Sequence, residues 1–130
     1  MQDSIFTKII KGEIPCQKVY EDEATLAFMD IHPAQPGHVL VVPKKQVEFV
    51  WDLSDEDYAV LMQTAKKVGR RIREVLQPKY VGMAVEGLGV PHAHVHVFPF
   101  STQAEFHRVA DQSAEPDIAA LEQMAQKLAF

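Results

Sequence analysis

Three histidines at alternating positions, His92, His94 and His96, fall in the segment Pro91-His92-Ala93-His94-Val95-His96-Val97-Phe98. In an extended strand the side chains alternate between faces. The three imidazoles then share one face, while Ala93, Val95 and Val97 point to the other, toward a core. Two chemistries suit such a row. Two histidines at i and i+2 can ligate one metal ion, with a further Cys, His, Asp or Glu from elsewhere. Imidazole can equally serve phosphate chemistry, as nucleophile, positioner and hydrogen-bond donor. The strand pattern alone leaves both open.

A fourth histidine, His38, follows Ala34-Gln35-Pro36-Gly37, where Pro fixes φ and Gly permits φ > 0, a strong turn signal. The run 38–43 is β-branched, continuous and closed by Pro43, as expected of a central strand buried on both sides. Further strands are expected at 18–21, 25–31, 79–86 and 92–98, the last two joined through Gly87-Leu88-Gly89. A short apolar segment at 5–10 has room for one or two helical turns before Gly12-Glu13-Ile14-Pro15 breaks it.

The clearest helix starts at Ser54, with Asp57 three residues on as a short-chain capping box. Tyr58, Leu61, Met62, Ala65, Val68, Ile72, Val75 and Leu76 follow the helical period, and Pro78 ends it. Its acidic first turn and basic second half suit the helix dipole and read as a solvated face. A final helix follows Pro116, with Ile118, Leu121, Ala125 and Leu128 on one face. Five strands and two main helices predict an α+β domain with helices against an antiparallel sheet.

The chain has 130 residues, 47% of them apolar and 24% charged, the balance of one soluble globular domain spanning 1–130. A net charge of −5 argues against nucleic acid as the main partner, yet a few local donors can still hold a small phosphate ligand. The lone Cys16 excludes an intramolecular disulfide and any multi-thiolate metal site. No secretory signal and no apolar run long enough to span a membrane is present, so the expected setting is the cytoplasm, away from membranes.

The stretch from His92 to Phe98 matches in full the His-φ-His-φ-His-φ-φ signature of the histidine triad (HIT) family of nucleotide hydrolases and transferases. The resemblance continues upstream, in Phe6-Thr7-Lys8-Ile9-Ile10-Lys11-Gly12-Glu13-Ile14-Pro15, Val19-Tyr20-Glu21-Asp22, Ala27-Phe28-Met29-Asp30-Ile31 and Pro36-Gly37-His38-Val39-Leu40-Val41-Val42-Pro43-Lys44. It covers about residues 4–98 and points to the purine-nucleotide-binding branch, while the extension 101–130 matches nothing familiar. By this resemblance the fold is HIT-like: a five-stranded antiparallel sheet, one long central helix and a C-terminal helix, paired into a homodimer with a ten-stranded sheet.

The same resemblance implies roles. His94 would attack the α-phosphorus of a nucleoside phosphoramidate or related conjugate, giving a nucleotidyl-histidine that water resolves. His92 and backbone carbonyls would set its tautomer, and His96 and His38 would donate to phosphate oxygens, as charge there demands. Asp30 would bind the ribose hydroxyls. Phe28, Ile31, Phe6 and Ile9, with Ile5, would line the base pocket, and Gly89 would contact phosphate through its backbone. Trp51 is assigned to packing, and His32 and His107 to loops.

Two departures from the family pattern matter. Many bacterial relatives hold a structural zinc at positions that here read Ser4, Thr7 and Gln46, together with the first triad histidine. Hydroxyls and an amide replace thiolates and imidazole poorly, so no zinc, no other metal and no cofactor is expected. The loop before the triad, 84–90, is short and lacks the Asn, Gln and Ser or Thr of better-known members, which bears on leaving-group specificity. The expected function is hydrolysis at the α-phosphate of purine nucleoside phosphoramidates. The rivals are a non-catalytic nucleotide-binding protein and a metal-dependent enzyme using the histidine strand.

Overall fold

The helix and strand signals of the sequence become, in a computed structural model describing residues 2–130, four α-helices and one five-stranded sheet among the described residues. The order along the chain is α1 (Ile5–Ile10), β1 (Lys18–Glu21), β2 (Thr25–Met29), β3 (Val39–Pro43), a 3-10 turn (Val50–Asp52), α2 (Asp55–Leu76), β4 (Tyr80–Ala84), β5 (Val95–Phe100), α3 (Gln103–Phe106) and α4 (Ile118–Leu128). The strands lie in the order β1-β2-β3-β5-β4, each antiparallel to its neighbour. His96 sits mid-sheet, opposite Leu40 on β3 and Ala84 on β4.

Strand alternation divides the sheet into two faces. On one, Ala27, Met29, Val39, Val41, Val95 and Val97 meet the apolar stripe of α2. On the other, Leu26, Phe28, Leu40 and Val42 pack under Phe6 of α1. The central strands β2 and β3 are therefore buried throughout, which is why their sequences are continuously apolar. Ser54 caps α2 as anticipated, accepting the Asp57 N–H at 3.1 Å. The helix stops at Gln77, whose φ of 49° is left-handed, immediately before Pro78.

The C-terminal helix packs on α2 and β1. Arg71 of α2 donates to the Leu128 and Ala129 carbonyls at 3.0 and 3.1 Å, satisfying groups that a helix end leaves open. Phe130 stacks on Tyr20 with centroids 4.8 Å apart, and its N–H bonds the Val19 carbonyl.

Several expectations need correction. β5 begins at Val95, because the N–H groups of His92 and Ala93 bond the Val90 and Val47 carbonyls outside the ladder. The alternation nevertheless holds, with Ala93, Val95 and Val97 in the core under α2. Trp51 does not pack: it is 89% exposed, because the 3-10 turn sends its neighbours Val50 and Leu53 inward instead. Tyr58 and Ile118 also face outward, at the first turns of their helices. The short α3 lies in the extension to which the sequence assigns only the final helix.

Candidate active site

His92 is fully buried and held at both nitrogens. Its Nε2 lies 2.7 Å from the Pro43 carbonyl, which only accepts, so Nε2 carries the proton. Nδ1 is then an acceptor, and the Ser4 hydroxyl donates to it at 2.8 Å. Ser4 is also the N-cap of α1, taking the Thr7 N–H at 3.0 Å. The Thr7 hydroxyl and the Ser4 N–H both donate to Gln46 Oε1, at 2.6 and 2.8 Å. The residues at the family's zinc positions thus meet as a hydrogen-bonded cluster of two hydroxyls, one amide and one imidazole. That donor set does not fit zinc, which takes thiolate, imidazole or carboxylate.

His94 is buried, and its Nδ1 lies 2.7 Å from the His92 carbonyl. A carbonyl demands a donor, so Nδ1 keeps its proton and Nε2 keeps a free lone pair. It is therefore the backbone of His92 that fixes the tautomer of His94. The Phe6 ring stands edge-on to His94 at 5.2 Å, and the His96 ring lies 5.1 Å away on the other side.

A second chain of hydrogen bonds runs through His38. The Ala34 N–H donates to its Nδ1 at 3.1 Å, which places the His38 proton on Nε2. Nε2 donates in turn to His96 Nδ1 at 2.9 Å, leaving the N–H of His96 on its own Nε2. Burial lowers both histidines to about 4, with His38 and His94 pushing His96 in the same direction. Both are neutral near pH 7, as the relay requires. The donor of His38 is therefore engaged by His96 in the free protein, so the role expected of it at phosphate runs through His96 or requires this bond to open.

Asp30 closes the group. Its Oδ1 accepts the His32 N–H at 2.9 Å, its Oδ2 lies 3.6 Å from His38 Nε2, and burial raises its carboxyl above the usual range. One ligand atom each from Asp30, His38 and His96 falls within 4.8 Å of the others, spacing that would suit a cation. The tautomer opposes it. A metal would need the lone pair of His38 Nε2, but the Ala34 N–H already takes the only other acceptor on that ring.

Beside the histidines, Phe6 and Phe28 pack edge to face at 5.5 Å in a buried cluster with Leu26, Leu40 and Val42, flanked by Ile9. Ile31 is half exposed at its rim. The structure brings together His92, His94, His96, His38, Asp30, Phe6, Phe28 and Ile9. Gly89 has a φ of +85° in an exposed loop, directly before Val90, which packs against the Phe6–Phe28 cluster. Sequence reasoning missed Ser4, Thr7 and Gln46 as the cradle of His92. The available signal was Ser4 ahead of 5–10, an N-cap residue before a helix. It also missed the Pro43 carbonyl and Gln35, a buried amide that nothing in its local sequence marks out.

With its histidine-bearing strand beside an apolar, aromatic-lined patch, the sheet has the nucleotide-binding, hydrolase-type fold of HIT proteins, as its relatives show. The HIT domain family model matches residues 11–103. The chain belongs to the histidine triad family. It is 39% identical over 105 residues to the protein hit of Bacillus subtilis, covering 75% of this chain and 71% of that one. It is 41% identical over 99 residues to the adenosine 5′-monophosphoramidase hnt1 of Schizosaccharomyces pombe, covering 73% and 72%. Among solved structures, a HIT-like protein of Bartonella henselae, described as involved in cell-cycle regulation, superposes with a TM-score of 0.86 at 29% identity. That match covers 97% of this chain and 93% of that one. A zinc-bound histidine triad protein of Mycobacterium smegmatis superposes with a TM-score of 0.78 at 28% identity, covering 95% and 88%.

Proposed function

We propose that the protein hydrolyses purine nucleoside 5′-phosphoramidates, or related conjugates at the α-phosphate, through a nucleotidyl-histidine at His94. The observation that carries this reading is the 2.7 Å contact of His94 Nδ1 with the His92 carbonyl, which leaves Nε2 as a free nucleophile. Its lone pair forms the N–P bond as the P–N bond to the amine breaks, the electron pair going to the amine, which takes a proton from solvent. Water then attacks phosphorus and supplies hydroxyl to it and a proton to solvent. The nucleoside monophosphate leaves and the lone pair returns to Nε2. The Nε2–H of His96 stabilises the charge building on a non-bridging oxygen, and His38 acts through His96. Asp30 accepts from the ribose hydroxyls, and the Phe6, Phe28, Ile9 and Ile31 patch receives the base. The reaction uses no metal or other cofactor. The similarity to an adenosine 5′-monophosphoramidase supports this substrate class.

The test is incubation with adenosine 5′-phosphoramidate. The expected result is AMP release insensitive to chelators, and an adenylyl adduct on His94 by mass spectrometry. Absence of both turnover and adduct would sink the reading. One observation favours a second reading, a non-catalytic nucleotide-binding protein: the exposed loop 85–90 carries no hydroxyl or amide side chain. Tight AMP binding in calorimetry without hydrolysis of any phosphoramidate or dinucleotide would establish it.

The proposal includes a homodimer working in the cytoplasm. β4 lies at the edge of the sheet, with Tyr80 and Met83 exposed beside a groove floored by Gly69, Val81 and Val97. An open, partly apolar edge of this kind invites a second copy to continue the ladder into ten strands. Sedimentation giving twice the chain mass is the expected result, and a monomer at micromolar concentration would remove the dimer. No helix among the described residues is long and apolar enough to cross a membrane.

A further inference from the structure

The family match ends at residue 103, yet part of the tail beyond it runs against the turn that carries the site. Gln35 of that turn is buried, and its Nε2 donates to the Glu105 carbonyl of α3 at 3.3 Å. The backbone carbonyl of Gln35 accepts the His38 N–H at 3.1 Å. Further along the tail, Arg108 reaches the Ala34 carbonyl at 3.5 Å, and His32 Nε2 lies 3.0 Å from the Ala114 carbonyl.

A second brace is aromatic. Phe106 of α3 packs on Phe98 with centroids 5.3 Å apart, and Phe98 lies against the His38 ring at 5.4 Å. Phe106 occupies the space over Gly82, where a Cβ would come within 2.8 Å of its ring. Short as it is, α3 is pinned at both sides of its start. The Thr102 hydroxyl takes the Glu105 N–H, and the Glu105 carboxylate takes the Ser101 N–H at 2.7 Å.

We propose that α3 is a positioning element of the active site. Through Gln35 and Phe106 it holds residues 34–38 where the Ala34 N–H meets His38 Nδ1, so that the His38 proton stays on Nε2 and is delivered to His96 Nδ1. Residues beyond the family match thereby select the tautomer of a histidine that stands roughly half the chain earlier. The kinetic part of the proposal rests on the reading of His96 as a donor to phosphate; the tautomer part does not.

The experiment compares wild type with Gln35→Met, which keeps the length, adds no charge and loses the donor, and with Phe106→Leu, which loses the ring. The ¹⁵N shifts of the His38 and His96 imidazoles report the tautomer in the free protein. The wild type is expected to show one tautomer at each ring, with Nδ1 unprotonated, and both variants a mixture. With adenosine 5′-phosphoramidate, kcat is expected to fall about tenfold with KM within about twofold, less than the roughly 10²- to 10³-fold cost of losing a transition-state donor outright, because only part of the population takes the wrong tautomer. Phe106→Tyr, which keeps the ring, should restore both signals and rate.

Unchanged imidazole signals in the folded variants, with only the melting temperature lowered, would overturn the proposal. Should Phe106→Leu fail to fold, Gln35→Met, close to glutamine in length and uncharged, decides alone. The spectroscopic arm needs no turnover. A wild type that hydrolyses no phosphoramidate would therefore strike the functional reading and leave this test standing.

Discussion

His92 and His96 stand two residues to either side of His94, and the molecule treats them oppositely. His92 is sealed: both its nitrogens are engaged, by Pro43 and Ser4, and solvent does not reach it. His96 is half-buried, with one nitrogen bonded to His38 and the other free toward the site. Identical side chains thus serve as a structural post and, in the proposed reaction, as a donor to phosphate. Environment makes the difference: a histidine with two partners can only hold, while one whose single partner donates to it has a proton left to offer. His94 lies between them, its tautomer set by the backbone of one neighbour and its free lone pair beside the ring of the other.

Substitution should separate these roles. His94→Ala removes the proposed nucleophile and is expected to lower kcat by about 10⁴-fold or more, with no adenylyl adduct in mass spectra. Residual turnover within a factor of ten would mean that another group attacks. Next in size, the same change at the two flanks should give opposite readouts. His96→Ala is expected to cut kcat about 10²- to 10³-fold with little loss of stability, because Asp30 Oδ2, 3.6 Å from His38 Nε2, can take the orphaned proton. His92→Ala is expected to cost about 3 kcal/mol or more in urea unfolding, since it opens a cavity and strands the Pro43 carbonyl and the Ser4 hydroxyl. Equal kinetic losses at the two positions would erase the distinction.

Much of this molecule can be read along the chain, and the reason is periodicity. The stripe of Leu61, Ala65, Val68 and Ile72 and the cap at Ser54 define α2 before any coordinates exist. The continuous apolar runs of β2 and β3 follow from burial on both faces, and the alternation through His94 and His96 survives even though the strand starts late. What could not be read is pairing across distance. Ser4 meets His92 across 88 positions, and Gln35 meets Glu105 across 70. A pattern with a period of two or 3.6 says which face a residue occupies, not which partner waits there. His38 is the telling case. Its place at the start of a central strand was legible, but the acceptor for its proton was decided by Ala34 and His96 together.

The buried relay also makes a pH prediction. His38 and His96 fall to about 4 in the folded chain, against an ordinary value near 6.5. Above pH 6.5 neither state binds these protons, so stability is flat with respect to them. Between 6.5 and about 4 the unfolded chain protonates first, and stability falls as pH falls, by about 1.4 kcal/mol per pH unit for each histidine. Below that range their contribution changes no further. Asp30 works the other way in acid, because its raised carboxyl binds a proton more readily in the folded state. Urea midpoints at pH 7.5, 6 and 4.5 should show the decline, and the double substitution His38→Gln/His96→Gln should make it shallower, leaving the part from His92, which burial also lowers. A wild-type midpoint constant over that range would contradict the neutral relay.

The smallest effect is expected at Ser4, and it sharpens the comparison most. Ser4→Ala deletes one hydroxyl that serves two groups, the Thr7 N–H at the start of α1 and the Nδ1 of His92. The loss of a cap and of a buried hydrogen bond should cost about 1–2 kcal/mol in unfolding. Thr7 limits the damage, because its hydroxyl already lies 3.3 Å from His92 Nδ1 and can turn from Gln46 to replace the lost donor. Since Nε2 of His92 stays on the Pro43 carbonyl, the backbone that orients His94 stays in place and kcat should change by less than about threefold. Adding Thr7→Val removes the substitute donor, leaving Nδ1 stranded, and should deepen the stability loss by about 1 kcal/mol more than Thr7→Val costs alone. Additive losses in that cycle would show that the two hydroxyls do not share His92. A fall in kcat matching that of His96→Ala would show that the first histidine of the row works on the substrate after all.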